Sequence, residues 1–210
     1  EICEVSNVWG AFIVLHAWSL IIGSIVLVVF YPNPLTYLLA IMIIGSRQLG
    51  LLILMHDSAH RTLFRSRKLN YWVGQVACAF PMFADTEVYR AYHIRHHINT
   101  QQPDDPDIFL TSSYPISKTS LLRKFFRDLT GQTAFYQRKQ QILIALGNSE
   151  MTFKQRVKHF YVSLGRQVVC NLVIFLIALY FGYGWLYFTL WILPLLTWHQ
   201  FVVRIRNIAE

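Results

Sequence analysis

Long apolar runs, separated by two tight turns and one long polar stretch, dominate the pattern of this 210-residue chain. A helix needs about 20 apolar residues to cross the hydrocarbon core of a bilayer. Runs at about 8–30, 35–55, 164–181 and 185–203 meet or approach that length. The first has His16 as its sole ionisable side chain, and the second is interrupted by Arg47-Gln48. The third is strongly apolar from Val168 onward, and Pro194 is positioned to kink the fourth. Tyr31-Pro32-Asn33-Pro34 and Gly182-Tyr183-Gly184 read as turns, because proline discourages helix continuation and glycine tolerates a tight reversal. The pattern predicts one all-α integral membrane domain. Its four transmembrane helices form two hairpins, and a helical cytoplasmic cap spans about 56–163.

Within that cap, 70–83 is apolar but too short to cross, so it reads as an interfacial or re-entrant helix ending near Pro81. A helix is expected over 89–99, broken by Pro103, Pro106 and the acidic Asp104-Asp105-Asp107. Segments 119–128 and 135–146 read as amphipathic surface helices, the former mixing basic residues with Leu121, Leu122, Phe125 and Phe126. No internal repeat and no strand pattern stands out.

Composition supports the membrane reading, since 54% of residues are hydrophobic and they are gathered in runs. The net charge of +8 is distributed unevenly. Neither tight turn contains Lys or Arg, whereas the central stretch carries most of them and Arg204 and Arg206 follow the last run. By the positive-inside rule, the central stretch is cytoplasmic. The charge therefore reflects topology and anionic membrane lipids, and no nucleic-acid partner is expected. Cys3, Cys78 and Cys170 lie far apart without CxxC spacing, which supports neither a disulfide framework nor a thiolate site. The segment 1–7 has no basic region before an apolar stretch, so no signal peptide is read, and the chain looks like an internal piece of a longer protein.

The candidate chemistry lies in two histidine clusters, His56-Asp57-Ser58-Ala59-His60 and His93-Ile94-Arg95-His96-His97. Residues three and four apart share one face of a helix, so the imidazoles within each cluster can converge. Neutral imidazole is a ligand for iron, copper and zinc. Five converging rings without a metal would leave many ring nitrogens needing partners. A zinc-protease helix would need HExxH, but Asp57 occupies the glutamate slot and the second cluster would be left unexplained. Surface histidines beside lipid phosphates would explain one cluster better than two. Asp57, Asp104, Asp105 and Asp107 are candidates to orient metal-bound imidazoles through hydrogen bonds. Asp85 and Glu87 also flank the second cluster.

HxxxH at the end of the second run, followed some thirty residues later by HxxHH, resembles the membrane fatty acid desaturase and hydroxylase superfamily. Basic Arg61–Lys68, Tyr92 and the Asp-rich 104–107 stretch agree with it. The resemblance implies a di-iron centre that activates O2, with His56, His60, His93, His96 and His97 as ligands and Asn207 approaching a metal through water. It implies a fatty acid desaturase acting on an acyl lipid or acyl thioester, with electrons from a ferredoxin or a cytochrome b5-type protein. A third histidine box is expected after the last span. The ending at Asn207–Glu210 therefore reads as a truncation, and the fragment alone as inactive.

Arg47, Trp198 and His199 are candidates to line a substrate tunnel, since a charge inside a span faces the bundle interior and not lipid. Two other readings compete with desaturation: a hydroxylase or ketolase of carotenoids or alkanes in the same superfamily, and a histidine-rich metal transporter or sensor. Transport predicts acidic residues deep in the spans, and the four runs contain none.

Overall fold

The computed structural model describes residues 4–108 and 112–209, so Cys3, Glu1 and Glu210 lie outside the described residues. Every regular element among the described residues is helical. Helix α1, Asn7–Phe30, begins where the Ser6 hydroxyl accepts from the Trp9 N–H. Helix α2, Pro34–Ala59, follows after a three-residue connection. Asn33 Oδ1 accepts from Leu35 N and Thr36 N, while Thr36 Oγ1 accepts from Asn33 N. Pro34 fits the first helical position because its missing N–H would be unpaired there in any residue.

Helix α3, Arg67–Val73, continues as a π turn over Gly74–Ala79 and a 3-10 turn over Phe80–Met82, and ends at Phe83 with φ 56°. Then come α4, Thr86–Asn99, α5, Lys118–Leu129, and α6, Gln132–Ala145. Helix α7 runs over Phe153–Tyr180 and α8 over Gly184–Ala209. Helices α1, α2, α7 and α8, of 24, 26, 28 and 26 residues, are long and apolar enough to cross a membrane. At 1.5 Å per residue, each is about 36 Å or longer. Helix α1 packs along α2, and α7 against the first half of α8.

Helix α7 begins eleven residues before the expected 164, the difference between residues 153 and 164. A Thr152–Gln155 capping box starts it in polar sequence, and the helix then enters the apolar run without a break. Hydropathy marks only that second part. Pro194 lies in a helical turn, and the interruption of α8 falls at Thr197, after a π turn over Tyr187–Ile192.

Each π turn shifts backbone pairing and frees carbonyls, and side chains from neighbouring helices meet two of them. Trp18 Nε1 donates to the Ala77 carbonyl at 3.0 Å, and Gln48 Nε2 donates to that of Trp191 at 2.8 Å. The Trp18 and Trp191 rings stack at 5.7 Å. Around them Val14, Ile21, Ile44, Leu51, Met82 and Leu190 form the buried core. The cap is tied to α8 through Asp128, which is fully buried, ion-paired with Arg204 and hydrogen-bonded by Thr133 Oγ1.

Candidate metal centre

The first histidine pair sits on the last turn of α2. His60 caps the helix, and Arg61 reverses the chain with φ 64°. A non-glycine residue in the left-handed region is uncommon and strained. The reversal is held by Asn70 of α3, whose carbonyl accepts from Ser58 Oγ and whose Nδ2 donates to the Ser58 carbonyl. Asn70 Oδ1 also accepts from Phe64 N. Helix α3 approaches α2 this closely because Gly74 has no side chain: a Cβ there would lie 1.9 Å from Ser58 Oγ.

The second cluster lies on α4. Asp85 caps that helix by accepting from Glu87 N and Val88 N, and it also takes Gln75 Nε2 at 3.2 Å and Arg166 of α7 at 2.8 Å. The Arg90 guanidinium bonds the Ala59 carbonyl, which draws α4 against the end of α2.

Four imidazoles meet where these helices adjoin. The Nε2 atoms of His60, His93 and His97 form a triangle with sides of 2.9, 3.0 and 3.3 Å. His56 joins them with its ring 4.6 Å from those of both His60 and His93, and ligand atoms of all four lie within 4.8 Å of one another. Two nitrogens held about 2.1 Å from one ion stand about 3.0 Å apart at right angles and about 3.4 Å apart at the tetrahedral angle. The triangle matches that spacing, so the residues fit a metal ion. His93 is buried, and its Nδ1 has no hydrogen-bond partner. The Tyr89 ring stacks on it at 5.0 Å.

His96 turns away from this group toward the loop after α4. Its Nδ1 lies 2.7 Å from Asp105 and 3.6 Å from Asp107. Burial works to raise the Asp105 carboxyl, but His96 and the backbone N–H groups of Asp107 and Gln101 overcome it and hold it at about 2. Asp105 is therefore ionised at neutral pH and accepts from His96 Nδ1, so the tautomer it selects is the one whose Nε2 can serve as a ligand. His56 Nδ1 stands 3.1 Å from Asp57 in a similar arrangement. Burial first, then the neighbouring imidazoles His56, His97 and His60, push the His93 pKa down to about 4. Burial, then His56, His97 and the Arg90 guanidinium, lower His60. The His60 and His93 rings thus favour the neutral, metal-binding form. Tyr92 donates to Asp107 and to the Pro106 carbonyl, and burial and that carboxylate raise its phenol.

Asp104 is exposed and takes no part in these contacts. Asn207 lies half-buried near the end of α8 and makes no hydrogen bond to a described histidine. Trp198 Nε1 donates to Ser46, and buried His199 backs onto Gly45, where a Cβ would lie 3.1 Å from His199 N. Arg47 faces a separate groove. Sequence spacing did not single out Tyr89, Gln75, Arg90 or Arg166. Tyr89 was within reach of it, four residues before His93 on the same face.

The family model for fatty acid desaturase matches residues 32–210. Over 104 residues, 49% of this chain and 29% of the relative, the chain is 35% identical to dihydrorhizobitoxine desaturase of Bradyrhizobium elkanii. Over 60 residues, 28% of this chain and 14% of the relative, it is 40% identical to zeaxanthin 4-ketolase of Chlamydomonas reinhardtii. The matched stretches thus cover less than a third of either relative. No solved structure is significantly similar.

Proposed function

The chain belongs to the fatty acid desaturase family, and on that premise we propose that it is the histidine-box membrane domain of an O2-dependent di-iron oxidoreductase that desaturates an acyl chain. The observation that carries this reading is the convergence of His56, His60, His93 and His97 at the end of a membrane-length helix. Iron bound there, with O2 and electrons, supplies the oxidising power to take hydrogen from an unactivated C–H bond, which redox-inert zinc does not. The four converging histidines would hold one ion. His96, oriented by Asp105 and Asp107, would offer Nε2 to the second, with Asn207 acting through water. Asp57 orients His56. Trp198 and His199, at the contact of α8 with α2, border the path of the acyl chain.

The substrate is an acyl lipid or acyl thioester. Electrons come from a ferredoxin or cytochrome b5-type protein, whose acidic surface docks on the basic cytoplasmic cap. The centre accordingly faces the cytoplasm. The ketolase among the relatives favours one second reading, hydroxylation or ketone formation on a carotenoid or alkane. Loss of the neighbouring hydrogen gives an alkene and return of oxygen gives an alcohol, and the seat of the substrate decides between them. Lipid analysis of cells expressing the complete gene tests the proposal. New acyl double bonds, absent when His93 is replaced by Ala, are expected. New hydroxyl or keto products with unchanged double bonds would replace the desaturase reading with the second one.

A further inference from the structure

Away from the histidines, a cavity of about 390 Å³ opens between α1, α2 and α8. Ile13 and His16 of α1, Leu49 and Ile53 of α2 and Val202 of α8 line it, with Arg47 among them. Arg47 sits near the middle of the 26-residue α2, at a depth its side chain cannot escape by reaching for either interface. Its guanidinium stays charged, offers five donors and accepts nothing. No described residue gives it a hydrogen bond or an ion pair. Among the four membrane-length helices the only acidic residue is Asp57, ten positions further on and already bonded to His56. No free carboxylate of these helices is left to neutralise Arg47, and an isolated charge at this depth is costly, so an anion from outside them suits it.

The groove is also kept open. A Cβ on Gly50, which lines it one turn from Arg47, would meet nothing within 4 Å. Largely apolar walls, with His16 and Ser46 the polar exceptions, around one cation describe an amphiphile with a single chain and an anionic end. A carboxylate suits a guanidinium best, since two parallel hydrogen bonds form. A cavity of this volume is within the range for small-molecule sites. We propose that this groove binds the carboxylate end of a single-chain lipid, with Arg47 as its anion receptor. Arg47 precedes His56 by nine residues, about 14 Å along the helix. The groove's lining includes none of the four clustered histidines.

The test uses the complete protein in nanodiscs of zwitterionic lipid and a long-chain fatty acid bearing a photoreactive diazirine, with its methyl ester as the uncharged comparison. Mass spectrometry of the crosslinked peptides is expected to find the acid on the α1, α2 and α8 segments that line the groove. Labelling should fall at least tenfold with the methyl ester and with Arg47→Gln, and Arg47→Lys should retain part of it. Gly50→Phe, whose Cβ enters open space, places a ring in the groove and should abolish labelling even if Arg47→Gln does not fold. Equal labelling by acid and ester, labelling unchanged in Gly50→Phe, or labelling confined to other segments would overturn the site.

Discussion

His93, a candidate metal ligand, lies buried beside the imidazoles of His56, His60 and His97. That environment makes its charged form unfavourable, and the consequence has a definite sign. Its folded pKa is about 4, below the ordinary 6.5, so between those values the unfolded chain takes up the proton first. Stability from this group is complete above about pH 6.5 and is lost as the pH falls toward about 4. Metal-free protein in detergent should show a thermal midpoint that drops from pH 7 to pH 5. His93→Gln should flatten part of that drop, and an identical slope in the variant would refute the assignment. Asp105 acts on the neighbouring ligand. Asp105→Asn removes the charge that fixes the His96 tautomer, and loss of such an orienting partner typically lowers metal affinity about 10–100-fold. Metal titration followed by elemental analysis reads this directly, and unchanged affinity would remove Asp105 from the site. At this scale the sequence picked out the histidines that converge, His56, His60, His93 and His97, because HxxxH and HxxHH are local patterns on single helices. It could not rank the acidic residues. Asp104 and Asp105 are adjacent in sequence, yet one is exposed and the other buried against His96.

Between elements, the centre depends on how closely α3 and α4 approach the end of α2. Gly74→Ala would drive a methyl into Ser58, and such overpacking costs about 1–3 kcal/mol. The helix should shift and carry the Asn70 and Gln75 contacts with it. Gly23 of α1 is the control, since a Cβ there meets nothing within 4 Å. Gly23→Ala should be neutral or stabilising by up to about 1 kcal/mol, as alanine is the better helix former. Unfolding midpoints and metal content of the two variants should diverge, and equal behaviour would show that the close approach is unimportant. Helix existence was legible from apolar length and from capping residues such as Asn33 and Asp85. The π turns were not, because nothing in Tyr187–Ile192 distinguishes a shifted ladder from a regular one until Gln48 and Trp18 supply partners from elsewhere.

Across the whole molecule, the distribution of charge relative to the four membrane-length helices leads to an orientation. The connections 31–33 and 181–183 carry no Lys or Arg, and the segment bearing the histidines carries most of them. In a background with the native cysteines replaced, Asn33→Cys and Gly182→Cys should react with a membrane-impermeant maleimide in intact cells. Arg65→Cys should react only after permeabilisation, and the reverse result would invert the topology. The sequence by itself determined that the chain is helical, where its apolar helices lie and which histidines group together. These follow from periodicity, hydropathy and spacing within single segments. Only the tertiary structure decided that His60 and His93, thirty-three residues apart, bring their nitrogens within 3.0 Å. It also decided that His96 pairs with Asp105, and that Arg47 lines a groove without an ion pair to any described residue. The reason is physical: these relations depend on distances between helices, and those are set by side-chain volumes and hydrogen bonds from segments far apart in the chain.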